Sequence, residues 1–78
     1  MAQTVCVIPS VADLARLSAI VADRGRPLKH IQHARIVLLS AERLSVLDVA
    51  QQAGVSRPAV WRWQQRYAEE GVEGLLRD

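Results

Sequence analysis

Twelve residues, Val49 to Val60, constrain this chain more tightly than any other stretch. They run Val49-Ala50-Gln51-Gln52-Ala53-Gly54-Val55-Ser56-Arg57-Pro58-Ala59-Val60. Ala50 lacks the bulk to hold two crossing helices apart, Gly54 can take the positive φ of an abrupt turn, and Val60 fills the angle between the helices. The pattern predicts helix, sharp turn, helix. An ordinary helix pair closed by a glycine C-cap shares that turn, so charge and context have to separate the two.

With 78 residues, half of them apolar, the chain is expected to form one small domain whose core needs neither metal nor disulfide. Enzymes with deep pockets are usually larger. Cys6 is the single cysteine, which rules out an internal disulfide and fits a reducing cytosol. No signal peptide opens the chain and no apolar run is long enough to span a bilayer, so a soluble, cytoplasmic, nucleoid-associated protein with no membrane role is expected. The formal net charge is only +2, yet between Arg24 and Arg66 eight basic residues face two acids, Glu42 and Asp48. A basic face on a nearly neutral molecule attracts phosphate polyanions.

Met1 to Pro9 holds the β-prone run Thr4-Val5-Cys6-Val7-Ile8 without a partner strand, so residues 1–9 are expected to be extended or disordered. Residues 10–78 are expected to be helical, with helices at about 10–23, 28–42, 45–53 and 56–70 and the helix-turn-helix at 45–70. Ser10 and Ser45 each precede an acid by three residues, Asp13 and Asp48, which is the capping-box spacing. In the first helix Val11, Leu14, Ala15, Ser18 and Val21, with Leu17 beside them, define the expected buried face. The second helix carries Ile31, Ala34, Leu38 and Ala41, backed by Ile36, Val37 and Leu39, and such all-round apolarity marks the centre of a bundle. In the third, Val46, Leu47, Val49, Ala50 and Ala53 are the expected inward residues. Ser56 caps the fourth helix, with Pro58 in its first turn, and Val60, Trp63 and Tyr67, with Gln64 beside them, form its inward face. Leu75-Leu76 is expected to sit in one more turn that folds back on the bundle.

At about 100° per residue, the side of the fourth helix opposite Val60, Trp63 and Tyr67 presents Pro58, Arg62 and Gln65, flanked by Ala59, Trp61 and Arg66. This polar, basic face suits the major groove of double-stranded DNA, with the preceding helix crossing the phosphates. Arg62 is the first choice for a base contact, because its i+4 neighbour is Arg66, a like charge that an external anion would relieve. Arg66 has Glu69 and Glu70 within one turn and can be satisfied inside the helix. Ser56 and Arg57 stand at the helix N-terminus, where amides and dipole favour a phosphate. Gln65 can read adenine, and Trp61 either packs on the neighbouring helix and the Arg57 stem or presses on a sugar or thymine methyl. Arg43 and Arg26, in the basic loops, complete the expected DNA-binding set. His30 and His33 are three apart but lack a third ligand, so they read as surface histidines. No metal, no cofactor and no small-molecule ligand are expected.

From Ala34 onward the chain resembles the N-terminal DNA-binding region of mariner-related bacterial insertion-sequence transposases. The residues that carry the resemblance are Ala34-Arg35-Ile36-Val37-Leu38-Leu39, Val55-Ser56-Arg57-Pro58-Ala59-Val60, Trp63, Arg66-Tyr67 and Glu70-Gly71-Val72-Glu73-Gly74-Leu75. The resemblance implies an all-α, homeodomain-like trihelical helix-turn-helix bundle with an additional N-terminal helix. It further implies sequence-specific binding to transposon terminal inverted repeats, by a transposase DNA-binding domain or a truncated transposase. Two positions depart from the family: Glu42-Arg43-Leu44 stands where a glycine is frequent, and Trp61 stands where a base is frequent. Glu69, Glu70, Glu73 and Asp78 crowd one helix end and its tail, so they do not form the family's catalytic acidic triad, and no enzymatic activity is expected of this part. The alternative is a dimeric transcription regulator or antitoxin that binds an operator through the same helix-turn-helix. That reading leaves a homodimer open, with Thr4 to Ile8 as its candidate interface.

Overall fold

The computed structural model describes residues 7–76. Five helices follow one another: α1 (Val11–Ala22), α2 (Leu28–Ala41), α3 (Val46–Ala53), α4 (Arg57–Glu70) and the short α5 (Val72–Leu75). No strand occurs among the described residues. Of the Thr4–Ile8 run, residues 4–6 lie outside the described residues, as does the Cys6 thiol. Val7 packs onto the core and Ile8 is exposed.

Serines start three of the helices, because an Oγ in extended backbone can take up an amide that the first turn leaves unbonded. Ser10 accepts from the Asp13 N–H at 3.1 Å, Ser45 from Asp48 at 3.1 Å, and Ser56 from Ala59 at 3.3 Å. At α1 only the serine half of the capping box forms. The Asp13 carboxylate turns away and accepts a 2.6 Å hydrogen bond from the Tyr67 hydroxyl on α4.

That bond goes with a different buried face for α1 from the one its periodicity suggested. Leu17 and Ile20 are buried with Val21 against them, whereas Val11 is 85% exposed and Leu14, Ala15 and Ser18 also face outward. Leu17, Ile20 and Val21 are among the bulkiest apolar residues of this helix and share one arc at about 100° per residue, whereas Ala15, Ser18, Ala19 and Ala22 occupy the other. Two polar tertiary contacts accompany that rotation: Asp13 meets Tyr67, and Arg16 lies 3.2 Å from Glu73.

α2 is the central element. Ala34 and Val37 join Leu17, Ile20, Val72 and Leu75 in one cluster, while Ile36 joins Val49, Ala50 and Val60 in a second. Each fully buried Leu, Ile or Val contributes roughly 1.5–3 kcal/mol relative to exposure. Trp63 packs against both clusters and so couples the helix-turn-helix to the α1–α5 layer. Beside it a polar relay crosses from α4 to α2. Gln64, only 6% exposed, donates from Nε2 to Ser40 Oγ at 2.9 Å, and that hydroxyl donates to the Ile36 carbonyl at 2.7 Å. A buried amide is tolerated when it is hydrogen-bonded in this way.

The turn between α3 and α4 rests on Gly54, whose φ of 72° and ψ of 35° lie in the left-handed region. The Ala50 carbonyl accepts from both the Gly54 and Val55 amides, the latter at 2.9 Å. Gln32 of α2 donates to the Ala53 carbonyl at 3.3 Å, which satisfies another orphan acceptor at the end of α3. Leu47, expected inside, is 51% exposed, because α3 rotates Val49 and Ala50 to the core and leaves Leu47 off their side. α5 folds back so closely that a Cβ on Gly74 would stand 2.7 Å from the Glu70 Cβ.

Candidate nucleic-acid interface

α3 and α4 form the helix-turn-helix, and the orientation of α4 follows from its inward residues. Val60 and Gln64 are buried and Trp63 and Tyr67 half-buried, so the opposite side must face solvent. Pro58, Arg62 and Gln65 are exposed along it, and Ser56 and Arg57 are exposed at the N-terminal end of the helix. Trp61 is 48% exposed and joins neither core cluster, whereas Ala59 and Arg66 are half-buried at the edge. The backbone carbonyl of Ser56 accepts from the Val60 amide at 3.2 Å, which fixes the first turn that carries Arg57 and Pro58.

The cations divide into those the fold uses and those it does not. Arg66 lies 3.5 Å from Glu70 and 5.5 Å over the Trp63 ring, so the fold accounts for its charge. Arg26 pairs with Asp23 at 3.5 Å across an exposed loop, a contact of little energetic weight. Arg57 and Arg62 have no ion-pair or hydrogen-bond partner among the described side chains, and neither does Arg43 in the loop before α3. Gln65 donates to Glu69 at 2.9 Å, which leaves its amide oxygen open. α4 is therefore polarised along its length: unsatisfied guanidinium groups occupy its first two turns and carboxylates its last.

Arg43 is the one described residue other than glycine with positive φ, at 64°. Its amide donates to the Ser40 carbonyl at 3.2 Å, closing the turn out of α2. Glycine adopts such a left-handed backbone without strain. Arg43 pays for the shape in strain of about 1–2 kcal/mol.

Arg35 lies outside α4 and is not among the DNA-binding residues expected from the sequence. This exposed side chain on α2, without a partner among the described residues, lines an open groove of about 380 Å3 with Leu28, Lys29, Ile31, Gln32 and Ala53. Its place beside the end of α3 arises from tertiary packing; the only signal in the sequence is its membership of the Arg24–Arg66 basic segment.

The histidines are not simple surface residues. Both are half-buried, and the His33 ring stacks on Trp63 with centroids 3.4 Å apart and planes 23° from parallel. Its Nδ1 lies 3.1 Å from the Leu75 carbonyl, which can only accept, so Nδ1 carries the proton. Burial holds the His33 imidazole below its ordinary value. The Leu75 hydrogen bond pushes the other way, while His30, Lys29 and Arg66 add to the lowering. Tyr67 moves upward for the matching reason: burial and the adjoining Asp13 carboxylate both disfavour the phenolate. Among the described residues no three His, Cys, Asp or Glu side chains gather in a metal-binding arrangement, and no helix is long and apolar enough to cross a membrane.

A family model described as a homeodomain-like domain matches residues 27–76, from the start of α2 through α5. No curated protein and no solved structure matches the chain.

Proposed function

The chain belongs to the homeodomain-like domain family, and from that premise we propose that it binds double-stranded DNA sequence-specifically by laying the first two turns of α4 in the major groove. The observation that carries this reading is the exposed, unpartnered Arg62 on the outer side of a helix whose other side is locked into the core, with a second unpartnered arginine, Arg57, at the N-terminus of the same helix. A guanidinium projecting from the middle of a recognition helix matches guanine O6 and N7, with discrimination of about 1–3 kcal/mol per bidentate contact. Arg57 and Ser56, at the N-terminus of α4, take a phosphate. Pro58, Ala59 and Trp61 supply the close apolar surface, and Gln65 offers its amide oxygen. Arg43 and Arg26 reach the flanking backbone, and Arg66 borders the groove while held by Glu70.

The terminal inverted repeats of an insertion sequence are the target we favour, on the resemblance of Val55 to Leu75 to mariner-related transposases. In this reading the helical unit 10–78 acts as the DNA-binding part of a transposase or a truncated one, near the nucleoid, and cutting and joining belong elsewhere.

Fluorescence anisotropy with labelled duplexes tests the proposal. The log of affinity should fall against log salt by about 0.9 per phosphate contact. Arg62→Ala should flatten the preference between specific and random duplexes, and Arg57→Ala should weaken both alike with a shallower slope. If both variants bind as tightly and as selectively as the parent chain, α4 is not the reading element.

A further inference from the structure

The adjacent glutamines of α4 are used in different ways. Gln64 is buried and donates to the Ser40 hydroxyl. Gln65 is exposed on the side that carries Arg62, and its Nε2 donates to a carboxylate oxygen of Glu69 at 2.9 Å. Arg66 pairs with Glu70 at 3.5 Å, so Glu69 is left to Gln65. A carboxylate only accepts, and of the two ends of an amide only the nitrogen donates. The Glu69 bond therefore fixes the sense of the Gln65 amide: the nitrogen faces the C-terminal end of α4, where Glu69 stands, and Oε1 faces away from that carboxylate.

We propose that Glu69 is a positioning residue that makes Gln65 a reader of exocyclic amino groups, so that it selects adenine or cytosine over guanine or thymine at one base pair of the site. This role rests on the DNA-binding reading of α4 and deepens it. In the major groove adenine N6 and cytosine N4 donate, whereas guanine O6 and thymine O4 accept. An unconstrained glutamine suits either kind, because flipping its amide exchanges acceptor for donor. With Nε2 held by Glu69, Oε1 accepts from an amino group but meets a keto oxygen as a second acceptor. Flipping to relieve that clash breaks the Glu69 bond and turns Oε1 onto the carboxylate, where two acceptors again face each other.

On an exposed helix surface a pair of this kind biases the amide only about twofold. In the groove, where base edges displace water, the acceptor clash on flipping adds to that bias. Gln65 lies three residues beyond Arg62, about 4.5 Å along the helix against a base-pair step of about 3.4 Å, so the two side chains face neighbouring base pairs. The site class is then a guanine for Arg62 beside an adenine or cytosine for Gln65.

Two measurements test this role, one of them without DNA. In an amide spectrum of the free labelled chain, the Gln65 side-chain NH2 signals should move in Glu69→Ala. They should stay near their parent positions in Glu69→Asp, since an aspartate four residues on still pairs with glutamine. Both positions are exposed, so neither variant should alter the circular dichroism. For the second measurement, selection from random duplexes with the parent chain and with Gln65→Ala locates the base pair that Gln65 reads, as the one whose preference the variant loses. Anisotropy titrations then compare cytosine with uracil there, an amino base with a keto base that lacks the thymine methyl. The parent and Glu69→Asp should prefer cytosine by about fivefold. Glu69→Ala should bring the two within about twofold, while binding both more tightly because a negative charge has left the helix. Gln65 signals that ignore Glu69→Ala, or a cytosine preference that survives it, overturn the positioning role and leave the DNA-binding reading intact. So does a selected site unchanged by Gln65→Ala. A parent chain that enriches no sequence contradicts sequence-specific binding through α4, and the role of Glu69 falls with it.

Discussion

Replacing Arg43 by glycine should make the protein more stable and a poorer DNA binder at once. Arg43 holds φ at 64°, where an L side chain is strained by about 1–2 kcal/mol. Glycine removes that strain but gives the unfolded chain more freedom, which returns roughly 0.5–1 kcal/mol. The Arg43 side chain is exposed and makes no hydrogen bond or ion pair with a described residue. The net gain is about 0.5–1 kcal/mol, a rise in melting temperature of about 2–8 °C for a domain of this size. If Arg43 also meets a phosphate, Arg43→Gly should lower the slope of log affinity against log salt by about 0.9. Arg43→Ala is the control: it removes the same charge but keeps a Cβ in the left-handed region. It should show the same loss of DNA affinity without the gain in melting temperature. Thermal unfolding followed at 222 nm and anisotropy titrations at several salt concentrations give both readouts. Equal melting temperatures for the glycine and alanine variants would refute the strain argument, and an unchanged salt slope would remove Arg43 from the interface.

Tyr67→Phe cuts the tie between α4 and α1 and should destabilise the chain by about 1 kcal/mol, since the partly solvated Asp13 left behind can recruit water. The same tyrosine is the only one in the chain, so its absorbance gives a clean titration, and the folded protein should ionise it well above the ordinary value near 10; ionisation at that ordinary value would contradict the Asp13 contact. His33 gives a pH dependence of opposite character. Its folded-state value is depressed, so the unfolded chain takes up a proton first as pH falls below about 6.5. The stability contributed by neutral His33 is complete above that pH and is lost as pH drops toward the folded-state value. The melting temperature should fall as pH drops below about 6.5, and His33→Asn should flatten that fall, whereas an equal fall in the variant would assign the effect to other groups.

What could be read from the chain depends on whether neighbours in sequence carried the information. The serine caps, Gly54 and the inward stripe of α4 are local features, and each decides its element without help from elsewhere. α2 likewise announces its central place by having apolar residues all round. The rotation of α1 lay in side-chain size rather than in apolar spacing: Leu17, Ile20 and Val21 outweigh Ala15, Ser18 and Ala19 across the helix, and the Tyr67 and Glu73 contacts that accompany it come from more than fifty residues away. Leu47 misled because its helix is short, and two buried residues, Val49 and Ala50, are enough to anchor it. His33 looked like a surface residue because nothing nearby in sequence signals Trp63 or the Leu75 carbonyl. The exposure of Pro58, Arg62 and Gln65 follows from the Val60–Tyr67 stripe, but the satisfaction of Arg66 and the freedom of Arg62 needed the side-chain geometry.

The most direct test of DNA binding through α4 is a two-dimensional amide spectrum of the labelled chain, recorded with double-stranded oligonucleotides that include paired inverted repeats. The account predicts that the amides of Ser56, Arg57, Ala59, Trp61, Arg62 and Gln65 move most, together with the Arg57 and Arg62 side-chain signals. Bound DNA that leaves the α4 signals in place while shifting another surface would contradict it.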